Sequence, residues 1–552
     1  MRIREMPHLH GEPVRGVLPG LLTAALLWAS WPASAATSPI AGAAERGDFD
    51  AVHEFIDAGA DVNAPATDGS TALLWAAYHS DAELVTALLG AGADPDTANH
   101  FGVTPLLQAS STGDAAVMAA LLEGGADPEL SHPEGLTPLM AASQTGRIEA
   151  VSLLLQHNAD PNAADSFQEQ TPLMWAASEG HLDVVDRLLT AGADPNRQAR
   201  VSALTERKNS DFPSGGFSAL MFAARNGHVD IVKRLVEAGA DLNLTNGDGA
   251  TAMMITIVND RFDLTGLLLE LGADANDGSL YHAVAMRDAT TDWYARDGSR
   301  LRANHDNELT ALDLIGLLLD AGADPNKAFV GQMHSATMCC DAYANASPFY
   351  RAAIAADVEA LKLLIQHGAD VEWTPAEVES DNPTANDNVG RAPLLVAMIG
   401  GKGVPLSAGP GYNREGRPPP FREPSNRTQV DAVRVLLEAG ANPDVLTPDD
   451  EKGPLDSVDF VFGGETALHG AVRTRKLDIV RVLAEFGATL DMPDRNGLTP
   501  LYLAENPLPD DPIDVFNVET DLGDATDEEV AAALRELMQE AGLTAASGSS
   551  AQ

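Results

Sequence analysis

The chain has 552 residues, with 81 acidic side chains against 35 lysines and arginines, and a formal net charge of −46 at pH 7. A surface this negative repels nucleic acid and anionic membranes, so the composition argues against a nucleic-acid-binding protein and favours cationic or charge-matched partners. Only two cysteines occur, side by side at Cys339 and Cys340, so we expect no disulfide framework.

The N-terminus predicts an export signal. Three basic residues come first: Arg2, Arg4 and Arg15. They precede an apolar run over 17–31, and Ala33-Ser34-Ala35 fits the small-residue pattern of a cleavage site. We therefore expect a Sec-type signal peptide over residues 1–35, cut just before Ala36, and a periplasmic or secreted mature protein. No later stretch approaches the roughly 20 apolar residues of a spanning helix, so we expect no membrane span in the mature chain.

Residues 171–196 contain one complete helix–turn–helix unit. Thr171 can cap a helix whose first turn holds Pro172, where a missing N–H costs nothing. Gly180 separates this helix from a second one, which ends at Gly192. The apolar residues of the second helix recur at helical spacing: Leu182, Val185, Leu188 and Leu189. A single pair of helices cannot bury its own apolar faces, so it needs copies on either side.

The copies recur at a nearly constant period. Gly-Ala-Asp, once replaced by Asn-Ala-Asp, recurs in steps of 33, 33, 33 and 34 residues, beginning at Gly59, Gly92, Gly125, Asn158 and Gly192. The capping threonine recurs in step, at Thr71, Thr104, Thr137 and Thr171. On these residues the sequence resembles the ankyrin-repeat family, whose period is about 33 residues. The resemblance implies an all-α ankyrin-repeat solenoid of about twelve helix–turn–helix repeats.

The predicted array changes along the chain. Residues 36–277 hold the regular ankyrin repeats one to seven, and residues 278–543 hold repeats eight to twelve, which carry several long insertions. Thr526 and Glu529 form a capping box at the start of the last helix, whose polar outer face suits a terminal cap. The small polar tail over 544–552 is predicted to be disordered.

The family's Thr-Pro-Leu-His signature is altered in this chain. Its histidine normally supports hydrogen bonding between repeats, but the regular repeats replace it with Leu74, Leu107, Met140, Met174 and Met221. It is kept only at His282 and His469. We therefore expect the regular repeats to depend more on apolar packing.

The sequence offers little catalytic chemistry. It has no Gly-x-Ser-x-Gly, no phosphate-binding loop, no His-Glu-x-x-His and no Rossmann fingerprint. One cluster of soft ligands would suit Cu(I): Met333, His334, Met338, Cys339 and Cys340. Their spacing matches no established site, so we predict no metal and no cofactor and keep these five residues as candidates only.

Two insertions are rich in arginine and aromatic residues, the types enriched at binding hot spots. The insertion in repeat eight contributes Trp293, Tyr294, Arg296 and Arg300. The insertion over 400–427, with a local charge of +3, contributes Tyr412, Arg414, Arg417, Phe421 and Arg422. Either the insertions bind a partner, or charge attraction folds them back onto the acidic solenoid. The sequence leaves both open.

The regular repeats present a second candidate surface. In ankyrin-like arrays, partners meet the loop tips and the exposed side of the first helices, where Tyr78 and His79 lie here. Other residues on this side are polar and varied: Ser111, Thr112, Gln144, Thr145, Ser178, Glu179, Arg225 and Asn226. The sequence thus favours a monomeric, non-catalytic scaffold that binds a protein through its concave face and insertions. One alternative is an enzyme, or a metal or redox accessory protein, with a site grafted onto the insertions. Another is a secreted effector or immunity-type binding protein.

Overall fold

The computed structural model describes residues 38–203, 213–287, 307–329, 345–377, 389–398, 428–448, 464–507 and 523–543. They belong to two compact units, one ending at Ser166 and the other beginning at Phe167. None of the helices within these ranges is long and apolar enough to cross a membrane.

The first unit contains four helix pairs, which are repeats one to four. Their helices are α1 Pro39–Glu45, α2 Phe49–Asp57, α3 Ala72–Tyr78, α4 Ala82–Gly90, α5 Pro105–Thr112, α6 Ala115–Glu123, α7 Pro138–Thr145 and α8 Ile148–Gln156. The first helix of each pair packs against the first helix of the next, and the second helices pack in the same way. The core therefore lies between two parallel layers of helices.

The second unit continues the pattern with repeats five to twelve. Its first eight helices are α9 Pro172–Glu179, α10 Leu182–Thr190, α11 Ala219–Asn226, α12 Val229–Glu237, α13 Ala252–Val258, α14 Phe262–Glu270, α15 Ser279–Met286 and α16 Ala311–Asp320. The others are α17 Pro348–Ile354, α18 Val358–Gln366, α19 Pro393–Ala397, α20 Gln429–Glu438, α21 Ala467–Arg473, α22 Leu477–Glu485, α23 Pro500–Glu505 and α24 Asp527–Glu540. A short antiparallel hairpin, β1 Val201–Ala203 with β2 Pro213–Gly215, joins repeats five and six. Twelve helix pairs among the described residues confirm the predicted ankyrin solenoid.

Local chemistry sets the helix ends. The hydroxyl oxygen of Thr171 accepts the N–H of Met174 at 3.4 Å, and Pro172 occupies the first turn, as predicted. Gly180 ends α9 at φ +89°, a left-handed conformation that glycine adopts without strain. The second helix differs in detail from the prediction, because Val184 is buried whereas Leu182 is 36% exposed.

Side chains in the loops tie successive repeats together. Asn196 donates its amide to the carbonyl oxygen of Gly239 at 3.0 Å, and its Oδ1 accepts the N–H of Asp241 at 2.7 Å. In repeats two and three, Asp96 and Glu129 stand at this position. A carboxylate has no N–H to donate, so each of these side chains only accepts one hydrogen bond, from a backbone N–H of the next loop. These bonds join the exposed loop backbones of neighbouring repeats.

The last described helix, α24, begins with the capping box that the sequence predicts. Thr526 and Glu529 form a reciprocal capping box, with the carboxylate accepting the Thr526 N–H at 2.7 Å. Val530, Leu534 and Met538 are buried against the preceding helices. The other side of α24 carries exposed polar residues: Arg535, Glu536, Gln539 and Glu540.

Candidate partner-binding surface

Tyr78 and His79, the candidates in the regular repeats, lie together at the end of α3. The Tyr78 ring is 40% exposed and meets the Trp75 ring edge-on, with the centroids 5.5 Å apart. His79 Nε2 donates to the carbonyl oxygen of Glu45, in the preceding repeat, at 3.2 Å. Tyr78 is therefore available at the surface, whereas His79 also contributes to stacking between repeats.

Tyr78 marks a position that recurs in every repeat. Tyr78 is the seventh residue after Thr71, the N-cap of its helix. Trp75, the fourth residue after the same N-cap, lies on the buried side of the helix next to Tyr78. We name these seventh positions the first-helix face; in repeats two to seven they are Tyr78, Ser111, Gln144, Ser178, Arg225 and Val258. The fourth positions include Trp75, Trp175 and Phe222, each only 8% exposed. Each unit thus presents varied side chains above a buried, largely apolar layer.

The candidates in the insertions and in the soft-ligand cluster lie outside the described residues and stay predictions. They are Trp293, Tyr294, Arg296, Arg300, Tyr412, Arg414, Arg417, Phe421 and Arg422, together with Met333, His334, Met338, Cys339 and Cys340. Within the described ranges, no group of three or more His, Cys, Asp or Glu side chains is placed to hold a metal ion.

The described residues show how the insertion in repeat eight begins. Arg287, the last residue of that repeat before the insertion, donates from Nε to Asp357 at 2.7 Å and from Nη2 to Glu359 at 2.8 Å. The side chains of Arg287 and Asp357 are 1% and 0% exposed. This buried ion pair fixes the start of the insertion to repeat nine. Sequence reasoning missed it, since 70 residues separate the two partners and neither belongs to a motif.

Two other insertion ends are also tied to neighbouring repeats. At the end of the repeat-eight insertion, the N–H of Leu309 donates to Asp263 at 2.8 Å. At the start of the insertion in repeat ten, Lys476 donates from Nζ to the carbonyl oxygen of Met398 at 2.7 Å. Because both contacts are made by residues of neighbouring repeats, the stacked helices fix the places where these insertions leave and rejoin the array.

The structure corrects the expected place of one signature histidine. The N–H of His282 donates to the carbonyl oxygen of Gly278, the N-cap of α15, as the N–H of Trp175 donates to that of Thr171. His282 therefore occupies the fourth position, and Tyr281 occupies the signature position. His469 does stand there: its Nδ1 accepts the Thr466 N–H at 3.2 Å, and its Nε2 donates to the Leu498 carbonyl oxygen at 3.2 Å.

Instead, His282 is an imidazole in an apolar setting. Its ring meets the Phe329 ring edge-on, with centroids 4.6 Å apart, and its Nε2 is buried without a hydrogen-bond partner among the described residues. Burial lowers the pKa of His282 from 6.5 to about 4, because a charged ring would lose its hydration.

This shift predicts a loss of stability in acid. Between pH 6.5 and 4 the unfolded chain binds a proton at this residue and the folded chain does not, so the contribution is complete above pH 6.5 and falls with pH. The loss by pH 4 is about 3 kcal/mol at 1.36 kcal/mol per pKa unit. We expect amide exchange in α15 to accelerate on acidification, and His282→Phe to remove most of that dependence after correction for intrinsic exchange. An equal pH dependence in the variant would contradict this account.

Comparison with known proteins agrees with the repeat architecture. Residues 40–132, 106–199, 201–279 and 425–508 match the family described as ankyrin repeats (3 copies). These matches cover more than half of the chain, which belongs to the ankyrin-repeat family.

Individual proteins give more limited matches. No curated protein matches the chain. Among solved structures, the chain is similar to the human ASB11 ankyrin repeat domain, with 27% identity over 43% of this chain and 98% of that chain, and a TM-score of 0.36. It is also similar to the ankyrin repeat domain of Bcl-3, a member of the IkappaB protein family, with 30% identity over 40% of this chain and 93% of that chain, and a TM-score of 0.35.

Proposed function

We propose that the protein is a non-catalytic scaffold that holds a protein partner on its first-helix face and its insertions. Ankyrin repeats are generally protein-interaction scaffolds. The observation that carries the proposal is the contrast between two positions of the first helices. Buried positions repeat small and apolar residues, as Ala176 and Ala223 do at 0% exposure, whereas the seventh position, exposed at Tyr78 and half-buried in repeats three to seven, holds tyrosine, serine, glutamine, arginine or valine. Packing constrains the first set and leaves the second free for recognition.

In this proposal the two halves of the chain have different roles. Residues 36–277 supply regular repeats, and residues 278–543 display insertions from ends that the repeats anchor, as at Arg287 and Met398. The signal peptide over 1–35 directs the protein to the periplasm or the exterior, where a secreted effector or immunity-type protein would also act. N-terminal sequencing of the protein recovered outside the cytoplasm should begin at Ala36, and recovery of uncleaved protein in the cytoplasm would contradict export.

The partner should depend on the insertions. Deleting residues 288–306 and 401–427 together is expected to abolish co-purification of the partner from periplasmic extract, because the deletion removes the arginine and aromatic side chains. Removing the tail 544–552 is the control, and it should leave co-purification intact. Undiminished co-purification after the double deletion would show that the insertions are not the contact.

A second candidate function is a metal or redox accessory protein, which His282 favours. Its buried Nε2 lacks a hydrogen-bond partner among the described residues, and its ring contacts Phe329, the residue directly before the segment that carries Cys339 and Cys340. Titration with Cu(I) distinguishes the two functions. Stoichiometric uptake that is lost when both cysteines become serine supports the accessory function, and no uptake leaves the scaffold.

A further inference from the structure

Arg225 stands on the first-helix face of the second unit, packed on two phenylalanine rings. Its guanidinium carbon lies 5.5 Å from the centroid of Phe217 and 5.2 Å from that of Phe222, and the two centroids are 5.3 Å apart. Arg225 Nε donates to Oδ1 of Asn226 at 3.4 Å, and Asn226 Nδ2 donates to the carbonyl oxygen of Ser178 at 2.7 Å. The rings and the neighbouring amide hold the guanidinium in one place.

The half-buried Arg225 lacks the carboxylate partner that Arg287 and Arg473 have. Arg287 pairs with Asp357 and Glu359, and Arg473 pairs with Glu465 at 2.6 Å. Within the described ranges, Arg225 belongs to no ion pair. Burial lowers the pKa of Arg225, and the negative charge of Glu179 offsets this only in part. A charge withdrawn from water is costly until an opposite charge meets it.

The repeats that contain and follow Arg225 are less acidic than the first unit. Residues 213–261 hold four cationic side chains against five carboxylates, whereas residues 38–166 hold two against nineteen. Salt screens interactions between exposed charges beyond about 8 Å at physiological ionic strength, so the local balance matters more than the net charge of −46.

We propose that Arg225 recognises a carboxylate side chain of the protein partner. This inference rests on the proposed scaffold function and names the chemistry of one contact on its first-helix face. With Nε held by Asn226, the two Nη groups remain to donate to a carboxylate in a forked pair. The Phe217 and Phe222 rings fix the guanidinium before binding, so little side-chain entropy is lost when the partner arrives.

Glu179 gives the proposal a second consequence. Its carboxylate is exposed and acts on the Arg225 charge without forming an ion pair with it. It therefore repels an incoming carboxylate, and Glu179→Gln should tighten binding. A role for Arg225 limited to packing against Phe217 and Phe222 predicts no such gain.

Random linear peptides displayed on phage are suitable probes, selected on the full chain. We expect clones whose affinity falls about tenfold or more with Arg225→Gln, as for a charge-assisted pair, and falls less with Arg225→Lys. Changing one Asp or Glu of such a peptide to its amide should cause a similar loss, but little further loss with Arg225→Gln. Lys233→Gln, which removes an exposed cation from the second helix of the same repeat, is the matched control and should have little effect.

The outcomes separate this inference from the scaffold proposal. Peptides that bind equally well to the Arg225→Gln chain, or that need no carboxylate, overturn the role of Arg225 and leave the scaffold standing. Failure to select any peptide also overturns the inference, while the scaffold proposal is then decided by the co-purification test. Unchanged circular dichroism of Arg225→Gln excludes misfolding as the cause of a loss.

Discussion

Replacing Arg287 with methionine is expected to destabilise repeats eight and nine by about 3–5 kcal/mol, the usual cost of breaking a buried ion pair from one side. Methionine keeps much of the side-chain volume but leaves the Asp357 carboxylate, 0% exposed, without its guanidinium. Amide exchange in α15, α17 and α18 should accelerate accordingly. Local exchange suits this test because unfolding of a long repeat array is not two-state.

Two further variants test whether the loss of the buried ion pair causes this destabilisation. Adding Asp357→Asn to Arg287→Met should restore much of the lost protection, since asparagine still caps α18 but carries no charge. Arg200→Met removes a half-exposed pair, with Arg200 and Glu169 side chains 44% and 47% exposed, and should cost less than about 1 kcal/mol. A small effect of Arg287→Met alone would show that the pair does not hold repeats eight and nine together.

Gly135→Ala is expected to destabilise the first unit by about 2–6 kcal/mol. Gly135 has φ +86°, where a side chain costs about 1–3 kcal/mol of backbone strain. The added Cβ would lie 2.3 Å from the backbone nitrogen of Ser166. Relieving this clash costs about 1–3 kcal/mol more. That nitrogen donates to the carbonyl oxygen of Glu134 at 2.9 Å, so protection of the Ser166 amide should fall.

Gly125 supplies the matched control. It has φ +93°, but no atom lies within 4 Å of the position that an added methyl group would take, so Gly125→Ala carries the strain without the clash. Amide exchange in the first unit of both variants and of the wild type separates the two contributions. Equal destabilisation by the two changes would mean that the loops move apart to admit a methyl group.

The sequence by itself predicted the repeat unit well, because local contacts determine it. The Thr171 hydroxyl caps the helix that begins with Pro172, and Gly180 ends it. These interactions lie within one or two helical turns, so residue spacing reports them directly. The same reasoning identified the capping box of Thr526 and Glu529 and the exposed position of Tyr78.

Sequence reasoning failed where the length of a loop changes. The N-cap Gly278 comes six positions after Gly272, whereas the N-cap Thr251 comes twelve positions after Gly239. Because this loop is shorter, the regular spacing no longer marks where the helix begins. The sequence prediction therefore took His282 for the signature histidine because it is a histidine near the start of a first helix. The backbone hydrogen bond to Gly278 places Tyr281 there instead.

The candidate surface was predictable in position but not in chemistry. The period placed Arg225 on the exposed side of a first helix, while Phe217, which packs on it, lies in the preceding loop. Stacking brings Arg287 to Asp357, 70 residues away along the chain. Local sequence thus determined the repeat and its period. Only the tertiary structure decided which charges are paired, because stacking joins residues whose separation along the chain varies with every insertion.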